Sequence, residues 1–357
     1  HSRGQKDYCQ LAQALTKAPI HLNGRIMKKY LEKLIAGDTL SSQETHDIMI
    51  GITRDAYTPV QISALLTALQ ISGITVDEVL GFRDGLLETG KRVHLDDLNT
   101  LDIVGTGGDG KNTFNISTCS AFVIAGAGYL VSKHGNGGSS SVSGASNVLA
   151  IHGVKFTDDE SQLRRSIEQS GVCYMHAPLF AYGMKNVGPV RKGLGIATCF
   201  NILGPLLNPC RPKNSLHGTA TQSQLRLYTS VHQKIGDNFG VVTSYDGYDE
   251  ISLTSEFKVM TRLYERVYTP VEMGLRYTSP EELYGGSTPE QAAAIFDVVL
   301  HGTATEAQKN VVIANAACGI SIMDKNLTMA QTVEMARESL ESGKALECFR
   351  KFVSINS

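Results

Sequence analysis

Between Leu101 and Thr118 the chain reads Leu-Asp-Ile-Val-Gly-Thr-Gly-Gly-Asp-Gly-Lys-Asn-Thr-Phe-Asn-Ile-Ser-Thr, and this stretch restricts the possible folds more than any other. Its first four residues predict a short buried strand and its glycines a turn where backbone can approach a ligand closely. Asn115-Ile-Ser-Thr118 predicts the entry to a helix that continues through Ile124. Strand, glycine turn and helix N-terminus in succession form an anion site, because unpaired N–H groups and the positive end of the helix dipole converge there. Phosphate is the natural ligand.

Gly105, Gly107 and Gly110 also satisfy the spacing of the dinucleotide fingerprint. That fingerprint needs a carboxylate about 20 residues further on for a ribose hydroxyl. Tyr129 to Asn136 supplies no acid there, and Lys133 supplies a cation instead. Asp109 inside the turn would repel a bare pyrophosphate, so the loop is expected to hold phosphate together with Mg²⁺. The plain alternative is a glycine-rich surface turn.

The 357 residues suffice for one large domain or two unequal ones. A net charge of −2 offers no concentrated positive field, which argues against nucleic acid and anionic membrane as partners. Cys9, Cys119, Cys173, Cys199, Cys210, Cys318 and Cys348 are widely spread and show no zinc spacing, so they read as reduced thiols in a cytoplasmic protein. No apolar run reaches membrane-spanning length. Because the chain opens on His1, residues 1–22 are set aside as a disordered or cloning-derived extension.

From Arg25 to about Gly90 every signal is helical, and Ser41-x-x-Glu44, Thr58-Pro-Val-Gln61 and Thr75-x-x-Glu78 are capping boxes. After Leu101 short apolar runs alternate with helices. Strands are expected at Leu101 to Val104, Tyr129 to Ser132, Gly171 to Tyr174, Gly218 to Thr221, Gly240 to Ser244 and Val259 to Leu263. Helix caps are expected at Thr157-x-x-Glu160 and Thr288-Pro-Glu-Gln291. The fold class is therefore α/β with a separate small all-α domain, its central sheet mostly parallel but mixed and flanked by helices. Between Pro178 and Phe200 the alternation breaks into helix without strand, which reads as chain returning to the helical domain. The domains are thus 23–98 with about 178–200, helical, and 99–177 with 201–357, α/β. This places the active site at the hinge between them. Ala307 to Phe352 is helical without chemical signals.

Three further segments carry chemistry. Lys133-His-Gly-Asn-Gly-Gly-Ser-Ser-Ser141 follows the second strand of the α/β part and offers an ammonium, exposed N–H groups and hydroxyls to a pyrophosphate, the plain alternative being a flexible loop. Asp249 and Glu250 stand where the run ending at Ser244 gives out. Oxygen ligands of this kind select Mg²⁺, and Ser117 can add a hydroxyl; the alternative is a solvated acidic turn. Arg191 offers the planar fork that suits a carboxylate, against the reading of a surface ion pair. Neither His134 nor His152 is assigned a proton-transfer role.

Taken in order, these segments resemble the anthranilate phosphoribosyltransferase family over essentially everything after Leu22. The most specific parts are Gly105-Thr-Gly-Gly-Asp109, Asn115-Ile-Ser-Thr118, Lys133-His-Gly-Asn136, Ser143-Gly144, Val190-Arg191, the Phe200 to Pro209 run and Asp249-Glu250. The resemblance implies a site for 5-phosphoribosyl 1-pyrophosphate (PRPP) at Gly105, Gly108, Asp109, Thr113, Asn115, Ile116, Ser117 and Thr118. It continues through Lys133, His134, Gly135, Asn136, Gly137, Gly138, Ser139, Ser140, Ser141 and Ala145. It implies anthranilate at Gly105, Asn136 and Arg191, two Mg²⁺ ions per monomer at Ser117, Asp249 and Glu250, and a homodimer. The implied reaction transfers the phosphoribosyl group to the anthranilate amine as a step of tryptophan biosynthesis.

The chain departs from the family at several positions. Gly137 replaces a common arginine, Val142 a lysine, Ala145 a serine, Asn147 an aspartate and Ala197 an arginine. Two cations fewer beside a phosphate site should either weaken affinity or shift the load onto Lys133 and the metals. The competing readings are a pyrimidine-nucleoside phosphorylase, in which Asp249 and Glu250 have no obvious task, and a non-catalytic relative that binds nucleic acid, which the near-neutral charge disfavours.

Overall fold

A computed structural model describes residues 20–138 and 143–357. Residues 1–19, most of the expected extension, and Ser139, Ser140, Ser141 and Val142 lie outside the described residues. The chain divides into two compact units, one of residues up to 91 with 181–207 and one of 92–180 with 208–357.

The first unit opens with α1 (Ile20–Ile35), α2 (Ser42–Thr53), α3 (Pro59–Ser72) and α4 (Val76–Thr89). The capping boxes expected at Ser41, Thr58 and Thr75 all close: each cap hydroxyl accepts from the N3 amide, and Glu44, Gln61 or Glu78 reaches back. Glu78 also accepts from the Leu40 amide at 2.9 Å, which keeps a fully buried carboxylate satisfied. Gly81 and Gly85 stand one turn apart on α4. A Cβ at Gly81 would overlap the Ser42 carbonyl and one at Gly85 would crowd Met49, so these glycines let α4 lie close on α2.

The chain next builds β1 (Thr100–Gly105), α5 (Ile116–Gly126), β2 (Leu130–Gly135), α6 (Ala145–Ile151), α7 (Glu160–Ser170) and β3 (Val172–His176). It returns to the first unit in α8 (Met184–Leu194), where Asn186 donates to the Ile52 carbonyl at 2.9 Å and Gly195 ends the helix at φ 65°. The second unit is completed by β4 (Asn214–Gly218), α9 (Gln222–Ile235), β5 (Asn238–Ser244), β6 (Phe257–Thr261), β7 (Glu265–Tyr268), α10 (Pro289–Leu300), α11 (Glu306–Met323), α12 (Met329–Glu341) and α13 (Lys344–Asn356). Residues 92–98, which composition places with the helices, group with this unit, because Val93 and Leu95 join Leu163, Ile167 and Cys173 in one apolar cluster.

The seven strands form one sheet in the order β3-β2-β1-β4-β5-β6-β7, parallel as far as β5 and antiparallel beyond it. The chain winds from β1 toward β3 and then resumes on the other side of β1, so the strand order reverses between β1 and β4. Ligand crevices of open α/β sheets lie at the carboxyl ends of such a pair. α5 is apolar around its whole circumference and buried; Phe122 meets Phe296, Phe349 and Phe352 at ring centroid distances of 6.3, 5.0 and 5.4 Å.

Several boundaries differ from expectation. The strand expected at Gly218 to Thr221 ends at Gly218, because Thr221 is already the N-cap of α9. The cap expected at Thr157 moves to Asp159, whose carboxylate accepts from the Ser161 amide at 2.9 Å while the Thr157 hydroxyl accepts from Asp159 N at 3.0 Å. β2 runs on to Gly135, so Lys133 and His134 belong to the strand rather than to a loop beyond it. Cys119, Cys173, Cys199, Cys210 and Cys318 are free and buried and Cys348 is free and half-buried; Cys9 lies outside the described residues. Among the described residues no helix is long and apolar enough to cross a membrane.

Candidate active site

β1 and β4 end on glycines that face each other in register, Gly105 and Gly218. A Cβ on Gly105 would overlap the Asp249 carboxylate, and one on Gly218 would overlap the Asp249 carbonyl. The two bare strand ends thus make the space in which the turn after β5 sets its first acid. Beyond β1, Gly107, Gly108 and Gly110 take φ values of 70°, 75° and 73°, left-handed backbone that other residues adopt at a cost. The loop wraps this acid: the Gly107 amide donates to Asp249 Oδ2 at 2.5 Å, and the Asp249 amide donates to Asp109 Oδ2 at 3.4 Å.

At the start of α5, Asn115 is the N-cap. Its Oδ1 accepts from Thr118 N at 3.2 Å, and its Nδ2 donates to the Ser143 carbonyl at 2.8 Å. The Ser117 amide, one of the unpaired donors of the first turn, gives its hydrogen to Glu250 Oε1 at 3.1 Å. Lys133 is buried; its Nζ donates to the Ile103 carbonyl at 2.5 Å and to Ser117 Oγ at 3.2 Å. Asp249 and Glu250 therefore reach the loop and the helix start together, as a turn allows and a straight strand does not.

The charges of this site are unbalanced. Burial first, then the neighbouring Asp109 charge, pushes the Asp249 carboxyl up from its ordinary value; burial, Asp249 and Asp109 push Glu250 well up. Burial pulls the Lys133 ammonium down to about 8. Three acids facing one weakened cation is an arrangement that a divalent ion relieves. Among the described residues no three His, Cys, Asp or Glu side chains gather closely enough to complete a metal shell. Mg²⁺ keeps water and takes phosphate oxygens alongside one or two carboxylates, which is the kind of donor that Asp249 and Glu250 offer. The Thr106 and Thr118 hydroxyls are buried with no hydrogen-bond partner among the described residues, which leaves two polar groups beside the loop for a ligand.

The remaining expected residues fall into place unevenly. Ile116 is fully buried in the core and offers backbone only. His134 neighbours Lys133 on β2, so its ring turns to the opposite face of the sheet, and its amide donates to Asp102 Oδ1 at 3.2 Å. Asn136 is exposed; its Oδ1 accepts from Gly137 N at 2.8 Å and its carbonyl accepts from Ser146 N at 3.2 Å. Asn147 accepts from Gly138 N at 3.0 Å and so anchors the loop without a charge. Ala145 is the first residue of α6. In the first unit Arg191 donates to Asn201 Oδ1 at 3.2 Å, and burial pulls its guanidinium down from the usual value.

Sequence reasoning missed Gly218 and the segment from Leu283 to Gly286. That segment pins the loop through Phe114 N to the Leu283 carbonyl at 3.0 Å and Gly285 N to the Asn112 carbonyl at 2.8 Å. A glycine pair there was the available signal. An open cavity of about 740 Å³ adjoins the loop, walled by Lys111, Thr113, Asp246, Tyr248 and Tyr284, with the Lys111 ammonium 4.6 Å from the centre of the Tyr248 ring.

Comparison with known proteins agrees with this geometry. Residues 28–90 match the helical bundle domain of a glycosyl transferase family, and residues 97–346 match its a/b domain. The anthranilate phosphoribosyltransferase of Phocaeicola vulgatus is 54% identical over 331 residues, which is 93% of this chain and 100% of that protein. The Saccharomyces cerevisiae enzyme in complex with PRPP and Mg superposes with a TM-score of 0.86 at 28% identity, covering 92% of this chain and 97% of the other. The yeast enzyme with 4-fluoroanthranilate gives 0.83 at 26% identity, covering 92% and 97%. By its sequence over nearly its whole length, and by a fold that places the expected acids on the expected loop, the chain belongs to the anthranilate phosphoribosyltransferase family.

Proposed function

We propose the following assignment of residues to this family's reaction, in which the phosphoribosyl group of PRPP passes to the amine of anthranilate and pyrophosphate leaves. The observation that carries it is the convergence of Asp249 on the glycine loop and Glu250 on the start of α5. Loop amides from Gly105 to Gly110, the first turn of α5 and Lys133 receive the phosphates. Asp249, Glu250 and Ser117 hold Mg²⁺, two ions per monomer. When bound, Mg²⁺ neutralises charge on the pyrophosphate and makes it a better leaving group.

The anthranilate amine is neutral at physiological pH, so the protein's task is orientation and preorganised charge rather than strong base catalysis. Arg191 grips the anthranilate carboxylate, with Asn201 steadying its guanidinium; no carboxylate pairs with Arg191 among the described residues. A nucleoside phosphorylase would leave the buried acid pair without a task. The protein acts as a cytoplasmic homodimer. Buried free thiols support the location and exposed apolar residues on α1 and α3, Ile35, Val60 and Ile71, support the pairing.

The test is release of pyrophosphate from PRPP. It should require anthranilate and Mg²⁺ and stop in EDTA; turnover indifferent to the chelator would end the assignment. In the same assay Arg191→Ala should raise the KM for anthranilate by about 10²-fold or more while that for PRPP moves little. Equal effects on both would remove Arg191 from its role.

A further inference from the structure

The segment behind the acid pair, Ile251 to Leu253, is fully buried yet belongs to no strand or helix, so each of its backbone polar groups needs an outside partner. One residue supplies two of them. Asn315, in the middle of α11 and 4% exposed, accepts from the Ile251 amide at 3.1 Å and donates to the Ile251 carbonyl at 2.8 Å, while its second N–H returns to the Val311 carbonyl at 2.9 Å. The side-chain amide thus acts as a one-residue strand laid against the residue that follows Glu250. A planar amide with donor and acceptor side by side makes this pairing.

The rest of the turn is fixed from other directions. The Ser244 hydroxyl, at the end of β5, donates to the Glu250 carbonyl at 2.7 Å. The Thr278 amide donates to the Leu253 carbonyl and the Thr278 hydroxyl to the Ser252 carbonyl, both at 3.0 Å. Between these anchors Leu253 is held at φ 59°, a left-handed conformation that a leucine adopts only when its surroundings impose it. A strained, buried turn beside a charged site is held there by its neighbours, and Asn315 is the one that pairs with both backbone groups of the residue following Glu250.

We infer that Asn315 is a positioning residue for the metal-binding acids: by clamping Ile251 from α11 it fixes where Asp249 and Glu250 point, and so sets the affinity of the site for divalent cations. It touches neither substrate nor metal and acts through one backbone unit. This rests on the metal role assigned to Asp249 and Glu250. Removing the amide frees Ile251, and the two acids lose their fixed aim, whereas Arg191 in the first unit keeps its own bond to Asn201.

The experiment uses the full chain and Mn²⁺ as probe, titrated in the presence of inorganic pyrophosphate and followed by electron paramagnetic resonance. Asn315→Ala should bind Mn²⁺ about tenfold more weakly, the equivalent of one or two net hydrogen bonds. The Mg²⁺ concentration for half-maximal turnover should rise by a similar factor, with the KM for anthranilate within about twofold of wild type. Unchanged Mn²⁺ affinity overturns the inference, whatever happens to the melting temperature. Should Asn315→Ala fail to fold, Asn315→Ser, which keeps one hydrogen-bonding group, decides the matter: an intermediate loss of affinity supports the role and wild-type affinity overturns it. Asp249→Asn is the companion measurement. If it too leaves Mn²⁺ binding intact, the metal assignment itself fails, an outcome distinct from failure of Asn315 alone.

Discussion

A single methyl group at the end of β4 is the smallest change that probes the site. Gly218 has ordinary backbone, so Gly218→Ala introduces no left-handed strain, yet its Cβ would meet the Asp249 carbonyl. The turn must retreat and Asp249 with it. Turnover should fall by about 10²-fold, the usual result of a misplacement near 1 Å, with a melting temperature showing that the chain still folds; kcat/KM for PRPP within a few-fold of wild type would refute the exclusion argument. The importance of Gly218 was not legible in the sequence, because Asn-Ser-Leu-His-Gly lacks the apolar run by which strands are recognised. Asp249 and Glu250 stood out as adjacent acids beyond the run ending at Ser244, and it is their hydrogen bonds to the loop and to the start of α5 that set them apart from a solvated acidic turn. Lys133 was legible as a cation close to the glycine loop but not as a buried one: lysines seldom lie inside, and its burial follows from a strand that continues past its apolar part.

Between elements, β4 and α9 are joined by a chain of ionisable groups. Asp237 accepts from His232 Nδ1 at 2.9 Å, and His232 Nε2 pairs with His217 Nδ1 at 2.9 Å. His217 Nε2 is buried with no hydrogen-bond partner among the described residues. Burial foremost, then His232, His134 and Lys133, drives the His217 pKa well below 6.5. The folded protein therefore binds fewer protons here than the unfolded chain once the pH drops under about 6.5, and this contribution to stability is present above that pH and lost below it. His217→Gln keeps a donor toward His232 but cannot be protonated. Relative to wild type, the variant should gain up to about 1.4 kcal/mol for each pH unit below 6.5, read as a converging and then crossing pair of melting temperatures. Parallel curves would show that His217 does not titrate on unfolding. Sequence pattern located the helices of the first unit closely, because three capping boxes mark their starts. It missed β7, whose Glu-Arg-Val-Tyr is too short and too charged to stand out, and it had no means of singling out Asn315 from the other side-chain amides of its helix, Gln308 and Asn310.

At the scale of the whole molecule, the three most exposed large aliphatic side chains among the described residues stand on helices of the first unit. Val60 and Ile71 are roughly three turns apart on α3 and so share a face, 78% and 82% exposed, and Ile35 at the end of α1 is 80% exposed. Light scattering on the eluted protein should give twice the 38.5 kDa chain mass. Val60→Asp combined with Ile71→Asp should shift it to the single-chain value, since burying two acids in a paired face costs several kcal/mol; a wild-type monomer, or a double variant that stays paired, would assign these side chains to another purpose. The socket for Asp249 has a consequence of its own. It exists in one alignment of β1 on β4, the one that sets Gly105 opposite Gly218, and a slip by one residue would close it with the bulk of Thr106 or His217. Correct assembly of the scaffold and the seating of this acid are consequently one event: a molecule whose strands have zipped in the right order already owns the notch that Asp249 fills, and one that has mispaired has nowhere to put it.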